Sequence, residues 1–479
     1  MDLEELQSGV PVWAWVAILV VCSAGYVGYS LLFLKSTSSN KIRYPPMAPG
    51  GFWFVLQKFW DVTIPDYMLE LHQTVGKVVE LPLAPPGQHV FLVGDYRVCR
   101  KILENPKTRK CVAIYSQFDA VSSGPTFFTS EGHRFKHARK ATNPAFAALY
   151  VEDMAKLADK KVMDWIRSTF ASSSEVELDV GLEMRRLTIQ VIAQVAFDYT
   201  LTERETADVL DALDRSNREF VIMTQKYPFR KWLPWFIPAV RQAYRDTKTI
   251  ANLNVKMLQH FRQKKDPARD TVLYQIVNNP EYKSDKERTC DMMAYLGAGF
   301  DTTSSSINWT VLELAKNPTI QTWLRKELRS LPVDKRRSCP ALLRVIKESL
   351  RKHPPAGIAS VSETAQDIVF EDGITTIPKR STVFHSFLGI HHDADVFEKP
   401  DAFLPSRWEN PTPEMQRSYL PFAAGRRNCQ GQALANAELQ VVLARLCSDY
   451  EWAVAKEGRR ELYGTMKSMG TILKATKLS

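Results

Sequence analysis

From Val10 to Leu34 the chain runs apolar without a single charge; from Gly51 onward, apolar positions recur at helical spacing instead. The first pattern is VPVWAWVAILVVCSAGYVGYSLLFL. As a helix rising 1.5 Å per residue, about 25 residues span roughly 37 Å, enough for a hydrocarbon core of about 30 Å. Trp13 and Trp15 sit where an interfacial aromatic belt is expected. The competing reading is a cleaved signal peptide, which opens basic and has a shorter apolar core. This run is instead preceded by Asp2, Glu4 and Glu5, so a retained single-pass anchor is expected over 10–34. Lys35, Lys41 and Arg43 follow it, which by the positive-inside rule places residues 1–9 in the lumen and the remaining chain in the cytosol. Residues 35–51 read as a basic, Pro-rich linker, stiffened by Pro45, Pro46 and Pro49.

Over 52–479 the periodicity predicts helices near 151–170, 180–198, 204–221, 239–264, 286–316, 318–329, 341–352 and 431–449. Short β-type pieces occur at VVELPL (78–83), HVFLV (89–93) and TTIP (375–378). There is no βαβ alternation and no glycine fingerprint, so a nucleotide-binding parallel sheet is not expected. The fold class is mainly α with a small β subdomain near the N-terminal side.

Composition changes this picture little. The chain of 479 residues is 45% hydrophobic and 24% charged, with no repeat and no low-complexity tract. Its 63 Lys+Arg against 53 Asp+Glu give a formal charge of +10, scattered along the chain and without a nucleic-acid motif. A solvated basic surface and a face for an anionic membrane or an acidic protein both fit that balance. The cysteines, Cys22, Cys99, Cys111, Cys290, Cys339, Cys429 and Cys447, are odd in number and none shows C-x-x-C spacing. That argues against a zinc or disulfide framework and for a reducing compartment.

One cysteine stands out. In FAAGRRNCQG, Cys429 lies between Gly425 and Gly431, beside Arg426 and Arg427, and just ahead of an amphipathic run carrying Leu434, Leu439, Val442, Leu443 and Leu446. A cysteine at a helix N-terminus is stabilised as a thiolate by the dipole and free N–H groups, and a soft anionic ligand suits iron. Two other segments carry chemistry. In KESLR, Glu348 and Arg351 share one helical face, and PSRW supplies Arg407 later. In AGFDTT, Asp301 and Thr302 interrupt the longest helical run. There Thr302 can return its hydroxyl to the carbonyl of Ala298, and Gly297 and Gly299 weaken the helix.

Phe422, Gly425, Arg427, Cys429 and Gly431 match F-x-x-G-x-R-x-C-x-G, Glu348 and Arg351 match E-x-x-R, and Ala298, Gly299, Asp301 and Thr302 match [AG]-G-x-[DE]-T. In this order the motifs resemble the cytochrome P450 family. The resemblance implies a haem b between the long central helix and the cysteine loop, with Cys429 as the axial ligand of the iron, pushing electron density to favour O–O cleavage. It implies that Asp301 and Thr302 relay protons to dioxygen, and that Glu348, Arg351 and Arg407 form a structural triad. The family's W-x-x-x-R is altered here, with Phe135 at the tryptophan position and Arg139 kept, and Ser362 stands where many members have arginine. Arg427 and Arg139 are then the main propionate partners implied, with Arg134 as a substitute.

By position, Ala298, Phe118, Phe127, Phe128 and Ile358 describe an apolar substrate pocket, or plain core. PFRKWLPWFIP (228–238) sets Trp232, Trp235, Phe236 and Ile237 beside Arg230 and Lys231, which suits a membrane-dipping loop or inward-packed aromatics. The implied activity is a monooxygenase of the endoplasmic reticulum membrane. It inserts one atom of O2 into a lipophilic small molecule (fatty acid, sterol, terpenoid or xenobiotic), with electrons from NADPH through cytochrome P450 reductase and cytochrome b5 as a further donor. The alternatives are a lipid hydroperoxide isomerase or dehydratase on the same fold, whose members tend to lose the acid–alcohol pair, and a non-catalytic haem-binding protein. No nucleic-acid partner is expected.

Overall fold

A computed structural model describes residues 43–478 apart from 86, 228 and 359. The lumenal segment 1–9, the anchor 10–34 and the first part of the linker lie outside the described residues. Among the described residues no helix is long and apolar enough to cross a membrane. The described end of the linker is extended and lies along the domain. Arg43 bridges Thr375, Met47 bridges Glu80, and the Ala48 and Glu80 amides are tied across the same seam.

The helices that frame the interior are α1 (Gly132–Thr142), α2 (Ala148–Thr169), α3 (Val180–Phe197), α4 (Glu203–Ser216), α5 (Pro238–Gln263), α6 (Asp285–Lys316), α7 (Pro318–Arg329), α8 (Pro340–Lys352) and α9 (Gln432–Asp449). Their bounds follow end signals in the sequence. Thr202 and Glu205 form a reciprocal capping box on α4. Ser284 caps α6, with Asp285 and Glu287 in its first turn. Pro238, Pro318 and Pro340 open their helices, where a missing N–H costs nothing. The helical run expected to reach 221 turns into a π segment, Asn217–Met223. There Thr224 Oγ1 donates to the Glu219 carbonyl, five residues back, and Arg230 pairs with the buried Glu219 carboxylate.

The core explains why α6 is not amphipathic. It crosses the molecule between α3, α5, α9 and the C-terminal hairpin, and from Thr303 to Ala315 every residue is buried. Its small hydroxyl residues are satisfied internally: Thr303, Ser306 and Thr310 donate to carbonyls four residues back, and Ser304 to one three back. The main apolar core joins α2, α3, α6, α7, α8 and α9, and a second cluster fills the space between α3, α4, α5 and α6.

The expected β subdomain is a five-stranded mixed sheet that takes in two of the three expected pieces, while Thr376–Ile377 of the third pairs separately with Ile368–Val369. Its order is Val78–Leu81, Val90–Val93, Thr382–His385, Ser360–Glu363 and Arg109–Lys110, with Val90–Val93 and Thr382–His385 parallel. In this sheet Lys110 lies directly across from Ser362. The C-terminal strands Tyr450–Lys456, Arg459–Tyr463, Thr465–Met469 and Ile472–Lys477 were not anticipated.

A buried ion cluster ties α8 to the chain ahead of the cysteine loop. Glu348 and Arg351 are fully buried and pair at 2.9 Å, and Arg407 Nε adds a second bond to Glu348 at 3.0 Å. The three residues expected to form a triad thus meet. Trp408 Nε1 and the Leu404 amide complete the shell of the carboxylate.

Candidate functional site

Cys429 is held by its loop. Its amide donates to the Phe422 carbonyl at 2.9 Å, and α9 starts three residues later with Gly431 at its N-cap. Gly425 adopts φ +73°, and a Cβ there would sit 2.1 Å from the Leu103 carbonyl oxygen, so only glycine fits. Gly431 has φ −86° and needs no such freedom. The thiol is exposed, but into an interior cavity rather than to bulk water. Burial accordingly pushes its pKa up, opposed by the Gly431 N–H and the Arg139 charge.

That cavity, about 310 Å³, has Cys429, Phe422 and Arg427 on one wall and Ala298, Gly299 and Thr302 of α6 among its other lining residues. A Cβ on Gly299 would lie 2.7 Å from Cγ1 of Ile192, so the missing side chain at 299 is required by the packing of α6 on α3. A cluster of cations gathers at one edge. Arg427 pairs with Glu131 at 2.9 Å, donates to the Ser130 carbonyl, and stacks its guanidinium 3.4 Å above the Phe135 ring. Phe135 therefore contributes a face for the arginine where a tryptophan N–H was missed. Arg426 also meets Glu131 at 3.3 Å. Arg139 donates to the backbone carbonyl and Oδ1 of Asn428 at 2.7 and 2.6 Å. Arg134 is a correction: it is committed to the buried Asp291 at 2.9 Å and does not line this cavity.

Sequence reasoning missed Lys110. Its Nζ lies 3.5 Å from the centroids of both Tyr115 and Phe128, inside the cavity wall. Burial, then the Arg427 charge, hold its pKa well below the usual lysine value. It faces Ser362 across the sheet, so a cation stands beside the position where many family members carry one. Ser362 itself is bonded to His385 Nε2 at 3.1 Å. A second missed group is Glu438 on α9, a buried cavity-lining carboxyl with an unpartnered oxygen and a pKa pushed up to about 8 by burial.

On α6, Thr302 Oγ1 donates to the Ala298 carbonyl at 2.9 Å, as its spacing implied, and faces both this cavity and the next. Asp301 turns the other way. It accepts from Thr465 Oγ1 at 2.6 Å and forms ion pairs with Lys467 at 2.9 Å and Arg185 at 3.2 Å. Burial raises the carboxyl pKa, but the Lys467 and Arg185 charges outweigh it, so the group is held below the usual carboxylate value. Arg185 in turn pairs with Asp214 of α4 at 2.5 Å. Arg185, Thr465 and Lys467 carried no motif. Thr465 and Lys467 reach the acid only because the C-terminal hairpin folds back on α6.

The adjoining cavity, about 320 Å³, is lined mostly by apolar side chains, among them Phe118, Phe128, Ile358 and Ala298. Four of the five expected pocket residues meet there. Phe127 does not; it stacks on Tyr295 at 4.5 Å and lines the Cys429 cavity.

The family model described as Cytochrome P450 matches residues 45–478. Rat cytochrome P450 4F6 is 26% identical over 355 residues, 67% of this chain, and the match spans 65% of that relative's length. Human cytochrome P450 4F11 is 28% identical over 475 residues, 90% of this chain and 89% of that protein. An Arabidopsis thaliana cytokinin hydroxylase is 28% identical over 365 residues, 70% of this chain and 68% of that protein.

Proposed function

Since the chain belongs to the cytochrome P450 family of haem-dependent monooxygenases, we propose that it hydroxylates a lipophilic small molecule in the cavity beside Thr302, with Cys429 as the thiolate ligand of a haem b. The residues fit that group. Arg139, Arg426 and Arg427 line the cavity, Glu131 pairs with only the last two, Arg139 meets only the neutral Asn428, and Arg427 Nε is buried without a partner. Such an excess of buried positive charge suits a ligand bearing carboxylates. When bound, the haem supplies dioxygen activation and insertion of one oxygen atom, the other leaving as water.

The chain's own residues do the rest. The apolar wall of Phe118, Phe128, Ile358 and Ala298 orients the substrate and excludes bulk water. Thr302, at the junction of the two cavities, holds a hydroxyl where protons must arrive, and Asp301 beside it is kept ionised by Lys467 and Arg185, a proton acceptor that can pass a proton on only after loosening one of those pairs. Retention of Thr302 at the junction of the two cavities, with the acid Asp301 beside it in the chain, is the observation that favours a monooxygenase over a hydroperoxide isomerase or a passive haem carrier.

Around this centre the reading extends to electrons from NADPH through cytochrome P450 reductase, with cytochrome b5 as a further donor. Residues 10–34 serve as a single-pass anchor in the endoplasmic reticulum membrane, 35–51 as the linker and 52–479 as the cytosolic catalytic domain. Trp232, Trp235 and Phe236 are 60%, 49% and 72% exposed beside Arg230 and Lys231, which supports a loop resting on the membrane rather than aromatics packed inward.

The test is the carbon monoxide difference spectrum of the dithionite-reduced protein, wild type beside Cys429→Ala. A strongly red-shifted Soret band in the wild type alone is expected. Bound haem without that band in the wild type overturns thiolate ligation and the monooxygenase with it.

A further inference from the structure

On the side of α1 that faces away from the cavity, we propose that His133, His137 and Glu281 form a binding site for a divalent transition metal, best suited to Zn2+. The two histidines are one helical turn apart, and their ring centroids lie 4.0 Å apart. On a helix turning about 100° per residue they project roughly opposite to Phe135, Ala138 and Thr142, which are buried on the cavity side. Glu281 comes from the segment that precedes α6 and completes a set of three ligand atoms, all within 4.8 Å of one another. Two imidazoles and a carboxylate suit Zn2+, Cu2+ or Ni2+ far better than Ca2+ or Mg2+, which prefer all-oxygen shells.

The frame around the three side chains is already set. Arg134, next to His133, and Tyr282, next to Glu281, both bond to the buried Asp291, at 2.9 and 2.6 Å. The Glu281 amide is fixed by Asn279 Oδ1 at 3.0 Å. The backbones of the ligand residues are therefore held while their side chains remain at the surface. Tetrahedral zinc with bonds of about 2.0–2.1 Å needs ligand atoms roughly 3.3 Å apart, and rotamer changes close that gap. His133 and Glu281 are exposed and His137 is half-buried, so none must break core packing to move. The fourth position opens to water. A metal here clips α1 to the start of α6, bracing the helix that carries Phe135 and Arg139 into the haem-side cavity.

The experiment uses the tag-free, haem-loaded full chain, stripped with a chelator and titrated with ZnCl2 by calorimetry. One site per chain is expected in the wild type and none in His133→Ala/His137→Ala. Glu281→Gln should weaken binding about 10-fold or more, the least that loss of even an orienting partner costs a metal site. Both variants should keep the wild-type circular dichroism and Soret spectra. Cu2+ loaded at the same site should show hyperfine structure from two nitrogens. No binding by the wild type, or binding unchanged in the double variant, overturns the proposal.

Discussion

Replacing Glu348 by glutamine keeps its size and removes its charge. The carboxylate accepts from Arg351 Nη2 and Nε, Arg407 Nε, Trp408 Nε1 and the Leu404 amide, at 2.9–3.0 Å. All five neighbours are donors. A glutamine NH2 must point at donors on one side, and the fully buried Arg351 loses its counter-charge, keeping only the carbonyls of His391, Pro400 and Ala402. Breaking a buried pair in this way costs about 3–5 kcal/mol, a large part of a typical stability of about 5–15 kcal/mol. The damage should reach the cysteine loop. Arg351 holds the His391 carbonyl, and His391 Nε2 accepts from the Leu420 amide at 2.9 Å, two residues ahead of Phe422.

Urea unfolding followed by circular dichroism should therefore show a midpoint lowered by the equivalent of about 3–5 kcal/mol, with the red-shifted carbon monoxide band lost at lower urea than in the wild type. Glu348→Met/Arg351→Met removes both charges of the closest pair and should be less destabilised than the sum of the two single changes. A loss under about 1 kcal/mol for Glu348→Gln, the range of an exposed pair, would refute the argument that burial makes this cluster costly to break.

Three further outcomes are expected. Lys467→Met leaves only Arg185 and the Thr465 hydroxyl against burial and should raise the Asp301 pKa; the acid limb of the pH–rate profile then moves up, whereas in the wild type the carboxylate stays charged at all pH values above the ordinary carboxylate range and is lost only below it. Gly299→Ala should destabilise by about 1–3 kcal/mol through overpacking on Ile192, and adding Ile192→Ala in the same chain should cost less in thermal melts than the sum of the two single changes, which contact with haem alone does not predict. In a chain lacking the proposed anchor, Trp235→Ser/Phe236→Ser should weaken sedimentation with phospholipid vesicles while leaving the carbon monoxide band unchanged, since both side chains are exposed and lie in neither cavity wall.

Local signals carried the long helices from residue 148 onward, whereas the shorter Gly51–Phe59, Ile64–Thr74 and Tyr96–Leu103 were not expected. α7 was bounded to the residue and α6 to within one, because Pro318, Ser284 and the long apolar repeat act over a few residues. Val90–Val93 was legible because all four residues are apolar and buried, and Val78–Leu81 because Val78, Val79 and Leu81 leave only Glu80 to break the apolar run. Of the last four strands, the two of the hairpin were missed for the opposite reason. Arg459–Tyr463 and Thr465–Met469 bury polar residues, Glu461, Lys467 and Ser468 among them, so their pattern does not look like a strand with one apolar face. At the site, Cys429, Thr302 and Glu348 were readable from spacing. Lys110, Arg185 and Lys467 were not, since each acquires its role from a partner far away in the chain: Lys110 through Ser362, and the other two through Asp301.

The missed residues change what the readable ones can do. Taken by itself, an aspartate buried at the middle of α6 is a carboxyl whose desolvation favours the neutral acid. The C-terminal hairpin reverses that: Lys467 and Thr465 approach from one side and Arg185 of α3 from another, so the acid is charged and turned away from the Cys429 cavity while Thr302 beside it faces inward. The alcohol and the acid are thus not one continuous donor pair at rest. For a proton to pass, Asp301 must release at least one of its cations and rotate toward Thr302, and the ease of that exchange depends on ion pairs that the hairpin and α3 supply. Arg185, Lys467, Asp214 and Asp301 all line the cavity of Phe118, Phe128 and Ile358 as well. If Asp301 does relay protons as proposed, a molecule settling there would displace water from this network, and occupancy of the cavity would then bear on the same four side chains that hold the acid.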